Sequence, residues 1–326
     1  MNDDKIVKTI RDYQSKIKSF SGLHTFMGVI AYVIFPIGLL FLIIDITSTA
    51  LSYKSMYGIG IAIVVAFCIC LFLLVKHIDR LQKKMKQFIG EHVVKHIIAE
   101  RITIQEYKPN GSFDKDFLYS SGVLPGYSKS YGSDYIKGIY RGKEIIYCDL
   151  KLEAQQEDSD GDYKTVTVFK GPVVSLALGR SLGDKRVRIL ETDKTGRAIS
   201  SIVNAYTNFW RAFGVKTMEQ TVSLENVGFN NQFEVKTTDE ELAFYILTPQ
   251  FMENIISADR LAEGRTNICF GGDRVNIAIH NNHDAFEVGN TMKNTKQLED
   301  SRARMRADLN KILSVVDEIL KKDKLF

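Results

Sequence analysis

The chain places His280 and His283 around Asn281-Asn282 and follows them with Asp284 and Glu287. Two imidazoles and two carboxylates within eight residues could hold a metal or trade protons as general acid and base. These four are the candidate catalytic residues. The same spacing also suits a polar turn closing a strand, because Asn and Asp side chains bond backbone groups two residues on, and that plainer expectation is preferred. His92 and His96 stand at i and i+4, a metal-binding interval on a helix. The metalloprotease pattern needs a Glu after the first His, and its inverted form needs one where Lys95 stands. A solvated helix face is expected there, and no metal. Asp158, Asp160 and Asp162 alternate like the start of a calcium loop, but Tyr163 and Phe169 occupy the places of its Gly and its bidentate Glu. A hairpin tip is expected instead.

Neither phosphate-binding glycine signature is present, and no G-x-S-x-G elbow occurs. Gly179–Lys185 resembles a phosphate loop with the wrong spacing. No cofactor is expected. Cys148 and Cys269 sit alone in strand-like runs and Cys68 and Cys70 in an apolar one, without a C-x-x-C pair. They are read as small buried hydrophobes.

The elements that would position these groups can be read from periodicity. Alternating, β-branched and aromatic runs at Asp134–Tyr140, Lys143–Glu153, Asp162–Phe169, Val173–Leu178 and Arg186–Leu190 predict antiparallel strands with Gly and Asp turns. Thr266–Phe270 and Arg274–His280, joined by Gly271-Gly272-Asp273, predict another hairpin. Phe229, Phe233 and Val235 read as the buried face of a strand. Asp239 is a helix cap, and Pro249 opens a second helix running to about Leu261. An aromatic helical face, Tyr206, Phe209, Trp210 and Phe213, ends at Gly214. It reads as core, with Trp210 an alternative membrane-interface residue. Amphipathic stripes at Ile6–Phe20, Ile78–Ile97 and Met305–Leu320 predict helices that pack on one another or self-associate.

The whole chain carries 43 Lys and Arg against 39 Asp and Glu. The first hundred residues hold 12 against 7, and the remainder 31 against 32. A bulk domain this close to neutral argues against a nucleic-acid partner. Leu23–Ile46 lacks charge until Asp45, and Tyr57–Val75 lacks it altogether. Each has about the 20 apolar residues that cross a bilayer, so two transmembrane helices are expected. Lys5, Lys8, Arg11, Lys16 and Lys18 precede the pair, and Lys76, Arg80, Lys83, Lys84 and Lys86 follow it. The positive-inside rule then puts both termini in the cytoplasm of an inner-membrane protein. The second cluster would meet anionic lipid at the membrane interface.

The segment Leu224–Val235 leads into Asp239, Glu241, Tyr245 and Leu247-Thr248-Pro249-Gln250-Phe251-Met252. With Asp134-Tyr135-Ile136, Phe169-Lys170-Gly171 and Phe286-Glu287, it resembles the bacterial family known as domain of unknown function 3137. The resemblance runs over roughly residues 20–290 and implies two early spans and a cytoplasmic α+β domain. It implies no catalytic residue and no substrate.

The expected fold is therefore α+β: a transmembrane helical hairpin followed by a cytoplasmic domain of mixed antiparallel sheet and helices. Its segments are 1–22, an amphipathic helix; 23–75, the hairpin; 76–100, a membrane-proximal helix; 101–290, the α+β domain; and 291–326, a C-terminal amphipathic helix. The expected function is a non-enzymatic, membrane-anchored binding or scaffold domain that meets a protein partner or itself. The alternative is a membrane-tethered hydrolase or lipid-modifying enzyme built on His280 and His283.

Overall fold

The computed structural model describes residues 1–46, 54–157, 162–192, 219–288 and 291–321, with the backbone alone at 33–46 and 54–63. Two compact units are present, Met1–Ile89 with Gly289–Glu299, and Gly90–Val288 with Asp300–Phe326.

The first unit is built on two long helices, α1 (Asp3–Ile46) and α2 (Lys54–Ile89). They meet through Phe20 and His77, whose rings are 4.7 Å apart, and Tyr13 and Phe88, at 6.5 Å. The Gln14 side chain accepts from the Met292 amide and Arg11 donates to the Lys293 carbonyl. Phe26, Val29, Phe72 and Leu73 are exposed.

This unit corrects the expected membrane architecture. Among the described residues, no helix is long and apolar enough to cross a membrane. In α1, eight charged residues from Asp3 to Lys18 interrupt the described side chains, leaving only 19–32 uncharged. In α2 the uncharged described run, 64–75, ends at Lys76. The two-span fold class and the inner-membrane location are therefore not supported. With them goes the basis for assigning Lys76, Arg80, Lys83, Lys84 and Lys86 to a bilayer interface. Trp210 lies outside the described residues.

The second unit opens with a π-helical turn at Gly90–Val94 and a short helix, α3 (Lys95–Ala99). Val93, Val94, Ile97 and Ile98 are buried, whereas His96 is exposed and Lys95 pairs with Glu91 at 3.5 Å. The helix therefore turns its aliphatic side inward.

The rest is an α+β domain around one antiparallel sheet. Its strands are β1 (Thr103–Lys108), β2 (Lys129–Tyr140), β3 (Lys143–Glu157), β4 (Tyr163–Ala177), β5 (Arg186–Glu191), β6 (Gln220–Val222), β7 (Phe233–Thr237), β8 (Arg265–Gly271) and β9 (Arg274–His280). The spatial order is β1-β2-β3-β4-β9-β8-β5-β7-β6. The helices are α4 (Lys115–Ser120), α5 (Val227–Gln232), α6 (Glu240–Ile246), α7 (Pro249–Ala262) and α8 (Thr295–Leu320).

Two expected strands merge into one. The break anticipated at Gly171-Pro172 is absent, and β4 runs through it. Pro172 precedes the first β4 residue paired with β9, Val173, so its missing N–H interrupts no bond of that ladder. Gly171 sits at φ +150°, and a Cβ there would lie 2.1 Å from the Ile279 carbonyl oxygen. Only a glycine admits β9 this closely.

Phe229 is the other departure. It lies on α5 rather than on a strand, because the Asn226 side chain caps the helix by accepting from the Phe229 amide at 3.0 Å. Its ring still reaches Phe233, 4.9 Å away. The other caps follow the sequence: Asp239 accepts from the Leu242 amide at 2.8 Å, and Pro249 opens α7.

One sheet face packs Cys148, Leu150, Leu152, Phe169, Val173, Cys269 and Ala278 against Phe113, Leu118, Val123 and Leu124. Helix α8 buries Met305, Leu309, Ile312, Leu313 and Val316. Asp317 on that helix accepts from Tyr140 Oη at 2.9 Å and from Arg141 at 2.8 Å.

Candidate functional site

The four candidate residues lie where β9 ends and the chain turns toward α8. The turn is built as its asparagines dictate: Asn281 Oδ1 accepts from the His283 amide at 3.0 Å, and Asn282 takes a positive φ of 58°. His280 is half-buried beside Phe169, with ring centroids 5.5 Å apart, and its Nε2 contacts Asn282 Oδ1 at 3.2 Å. Burial, reinforced by the Arg265 charge, holds the imidazole below its ordinary pKa despite the bond to Asn282.

His283 and Asp284 point to different surroundings. His283 Nε2 lies 3.0 Å from Asp308 Oδ2 on α8. Asp284 Oδ1 accepts from the Phe286 amide at 3.1 Å, and its Oδ2 from the Ser133 hydroxyl at 3.3 Å. The Glu287 backbone carbonyl accepts from Arg304 at 3.1 Å. The turn thus divides its chemical side chains between separate partners and does not bring the four together.

His283 lines a cleft of about 180 Å³ between the end of α7, the end of β9 and α8. Apolar walls come from Pro172, Ala262, Ile279, Ala285 and Ile312. Two polar pairs border it: His283 with Asp308, and the ion pair of Lys311 with Glu263 at 2.6 Å. Glu263 ends α7 in the left-handed conformation, φ 49°, which turns the chain toward β8. The cleft therefore offers both signs of charge beside an aliphatic surface.

Asp284 joins a different arrangement on the sheet. Ser133 pairs with Asp149 and Ile136 with Tyr147, so two residues of β2, Asp134 and Tyr135, stand opposite Cys148 alone. This bulge gives Asp134 a positive φ of 54° and brings it beside Asp149. Carboxylate oxygens of Asp134, Asp149 and Asp284 lie within 4.8 Å of one another. Tyr107 donates to Asp134 Oδ1 at 2.7 Å and Tyr147 to Asp149 Oδ1 at 2.9 Å. Burial, and then the neighbouring aspartates, hold both phenols well above their ordinary pKa. Three hard oxygen ligands of this kind match a calcium or magnesium ion better than a softer metal.

Asp134 and Asp149 were not among the sequence candidates, and neither were Asp308, Lys311 and Glu263. The available signal was slight: Tyr147-x-Asp149 puts a phenol and a carboxylate on one strand face, and aspartates are uncommon inside strands.

The comparisons with known proteins are few. No curated protein matches the chain. The crystal structure of the mycobacterial trehalose monomycolate transport factor A, TtfA, is 11% identical, over 70% of this chain and 95% of that one, with a TM-score of 0.34. Residues 167–321, which carry α5 to α8 and the turn at His283, match the model of the family described as protein of unknown function (DUF3137), the family that the Leu224–Met252 segment resembles.

Proposed function

We propose that the sheet domain is a non-catalytic binding domain and that the cleft at His283 is where it takes a small ligand. The observation that supports this is the cleft's wall: an aliphatic surface bordered by the His283–Asp308 and Lys311–Glu263 pairs. Such a wall favours a compact molecule with an apolar body and ionic ends of both signs, the arrangement of an amino acid. Its carboxylate would replace Glu263 on Lys311, and its ammonium would take the released carboxylate.

The test is a thermal-shift screen of the full chain with amino acids, simple carboxylates and primary amines. A ligand at a hundred times its Kd stabilises by about 2.7 kcal/mol. The expected result is a shift with one or more amino acids that is lost in Lys311→Ala and in Asp308→Asn. No shift with any compound, or shifts that survive both substitutions, would reject the reading.

One observation favours a second reading. His283 held by Asp308 is the base-and-orienter half of a hydrolytic site. Turnover of an ester by the purified chain, abolished by His283→Ala, would establish it in place of the first.

A further inference from the structure

Outside the cleft's lining, a second pair of acids meets near the same, starting end of β8, where Glu191 follows the Leu190–Asn267 pair. Glu191 is the last residue of β5, and Asp259 faces it from α7. Asp259 is 9% exposed, and its Oδ1 is buried without a hydrogen-bond donor. Gln232, at the end of α5, donates to the other oxygen, Oδ2. Glu191 Oε2 accepts from the Thr266 amide at 2.8 Å, and its carboxyl lies beside that of Asp259. Two carboxyl groups can share a hydrogen bond only if one of them carries a proton. With both ionised, Asp259 Oδ1 would be a buried oxygen facing a like charge.

Among the described residues, the opposing charge that acts on Glu191 is Arg265 at the start of β8, which favours its ionisation. Asn267 of β8 donates no charge; its side-chain oxygen accepts from the Glu191 amide at 3.2 Å. On β7, Phe233 pairs with Glu191, while Glu234 pairs with Leu190 and so lies on the other face of the sheet. From α7 and α5 the facing groups are Asp259 and the neutral Gln232.

We propose that Glu191 and Asp259 form a proton-dependent latch that fastens α7 to the β5–β8 end of the sheet while they share a proton and loosens it when both ionise. The geometry makes the sign definite. Burial, and then the Asp259 charge, raise Glu191 from 4.5 to about 7 in the folded protein. The fastening is complete below the unfolded value and is lost as pH rises through about 7. The latch is a property of the fold and does not depend on what the cleft binds.

Hydrogen exchange of the α7 amides, 249–262, in the full chain tests it, after correction for the intrinsic pH dependence of exchange. A folded value of about 7 predicts that opening of α7 grows about tenfold between pH 6 and pH 8. In Glu191→Gln the side-chain amide donates to Asp259 and its oxygen accepts from Thr266, at any pH. That variant should remain protected at pH 8, with no such increase. Equal pH dependence in the two proteins would overturn the latch. Should Glu191→Gln not fold, carboxyl-carbon NMR of glutamate-labelled wild-type protein decides. A Glu191 signal, assigned by its absence in Glu191→Asp, that titrates near pH 7 supports the latch, and one that titrates below pH 5.5 overturns it.

Discussion

Among the described residues Arg188 is the largest fully buried side chain, and its removal gives the sharpest test of the packing described above. It is 1% exposed, donates from Nε to the Gly122 carbonyl at 2.8 Å, and contacts Glu219 at 2.9 Å. The Glu219 side chain is itself only 8% exposed, and its Oε1 receives no hydrogen bond. Replacing Arg188 with Met keeps much of the volume but strands a buried carboxylate and a backbone carbonyl. Breaking a buried pair from one side costs about 3–5 kcal/mol, a large share of the roughly 5–15 kcal/mol that holds a domain folded. Glu219→Leu alone takes the buried carboxylate away from the guanidinium and should cost a similar amount. The double variant removes both charges. It should lie within about 2 kcal/mol of wild type, the residue being the unbonded Gly122 carbonyl and imperfect packing. Urea unfolding followed by far-UV circular dichroism measures all four corners of the cycle. Single variants that each cost under about 1 kcal/mol, or a double variant equal to their sum, would refute the premise that the pair is desolvated.

Three further outcomes follow from particular contacts. Gly171→Ala should destabilise by about 3 kcal/mol or more in the same urea assay, because its Cβ must displace the Ile279 carbonyl, 2.1 Å away; a loss under about 1 kcal/mol would mean that β9 yields freely. Asp149→Asn keeps an acceptor for Tyr147 but removes one of three clustered carboxylates, so in EDTA at pH 8 the thermal midpoint should rise by the equivalent of about 1 kcal/mol. A lower midpoint would show that the charge is compensated inside the fold. Tyr140→Phe should cost about 1 kcal/mol through its half-buried bond to Asp317, whereas Arg141→Ala, whose side chain is 62% exposed, should change stability by less than about 0.5 kcal/mol; equal losses would put the two contacts in the same environment.

What could be read from the sequence follows from how far each signal reaches along the chain. Asp239 and Pro249 announce α6 and α7 because a cap acts within its own turn. The β8–β9 hairpin is equally local, its Gly-Gly-Asp turn lying between two alternating runs. Asn226 carried the same kind of capping signal. The alternation of Phe229, Phe233 and Val235 points instead to a strand, a pattern that a short helix running into a strand imitates. β1 carries no such signal, because Thr103–Lys108 mixes polar and aromatic residues without a clean period and gains its place by pairing with β2. The aspartate group is less legible still. Asp134 and Asp149 meet through a bulge, Asp284 arrives from 135 residues beyond Asp149, and no interval in the sequence encodes that meeting. The long helices teach the reverse lesson: two apolar runs read as spans in the sequence, yet among the described residues no helix is long and apolar enough to cross a membrane.

The order of the strands has a consequence for how the chain is made. β1 to β4 form one consecutive meander, and β5, β6 and β7 adjoin one another at the far end, but no bond in the sheet joins β4 to β5. The β8–β9 hairpin, residues 265–280, closes that gap, pairing β9 with β4 and β8 with β5. A chain emerging from the ribosome therefore holds two incomplete sheets, each with an open inner edge, until this late hairpin arrives. Open edges recruit other strands, and pairing so distant in sequence is slow. Truncation before Arg265 should yield aggregation-prone halves, and the wedge-like hairpin should be the last piece of sheet to lock and the one on which cooperative unfolding depends.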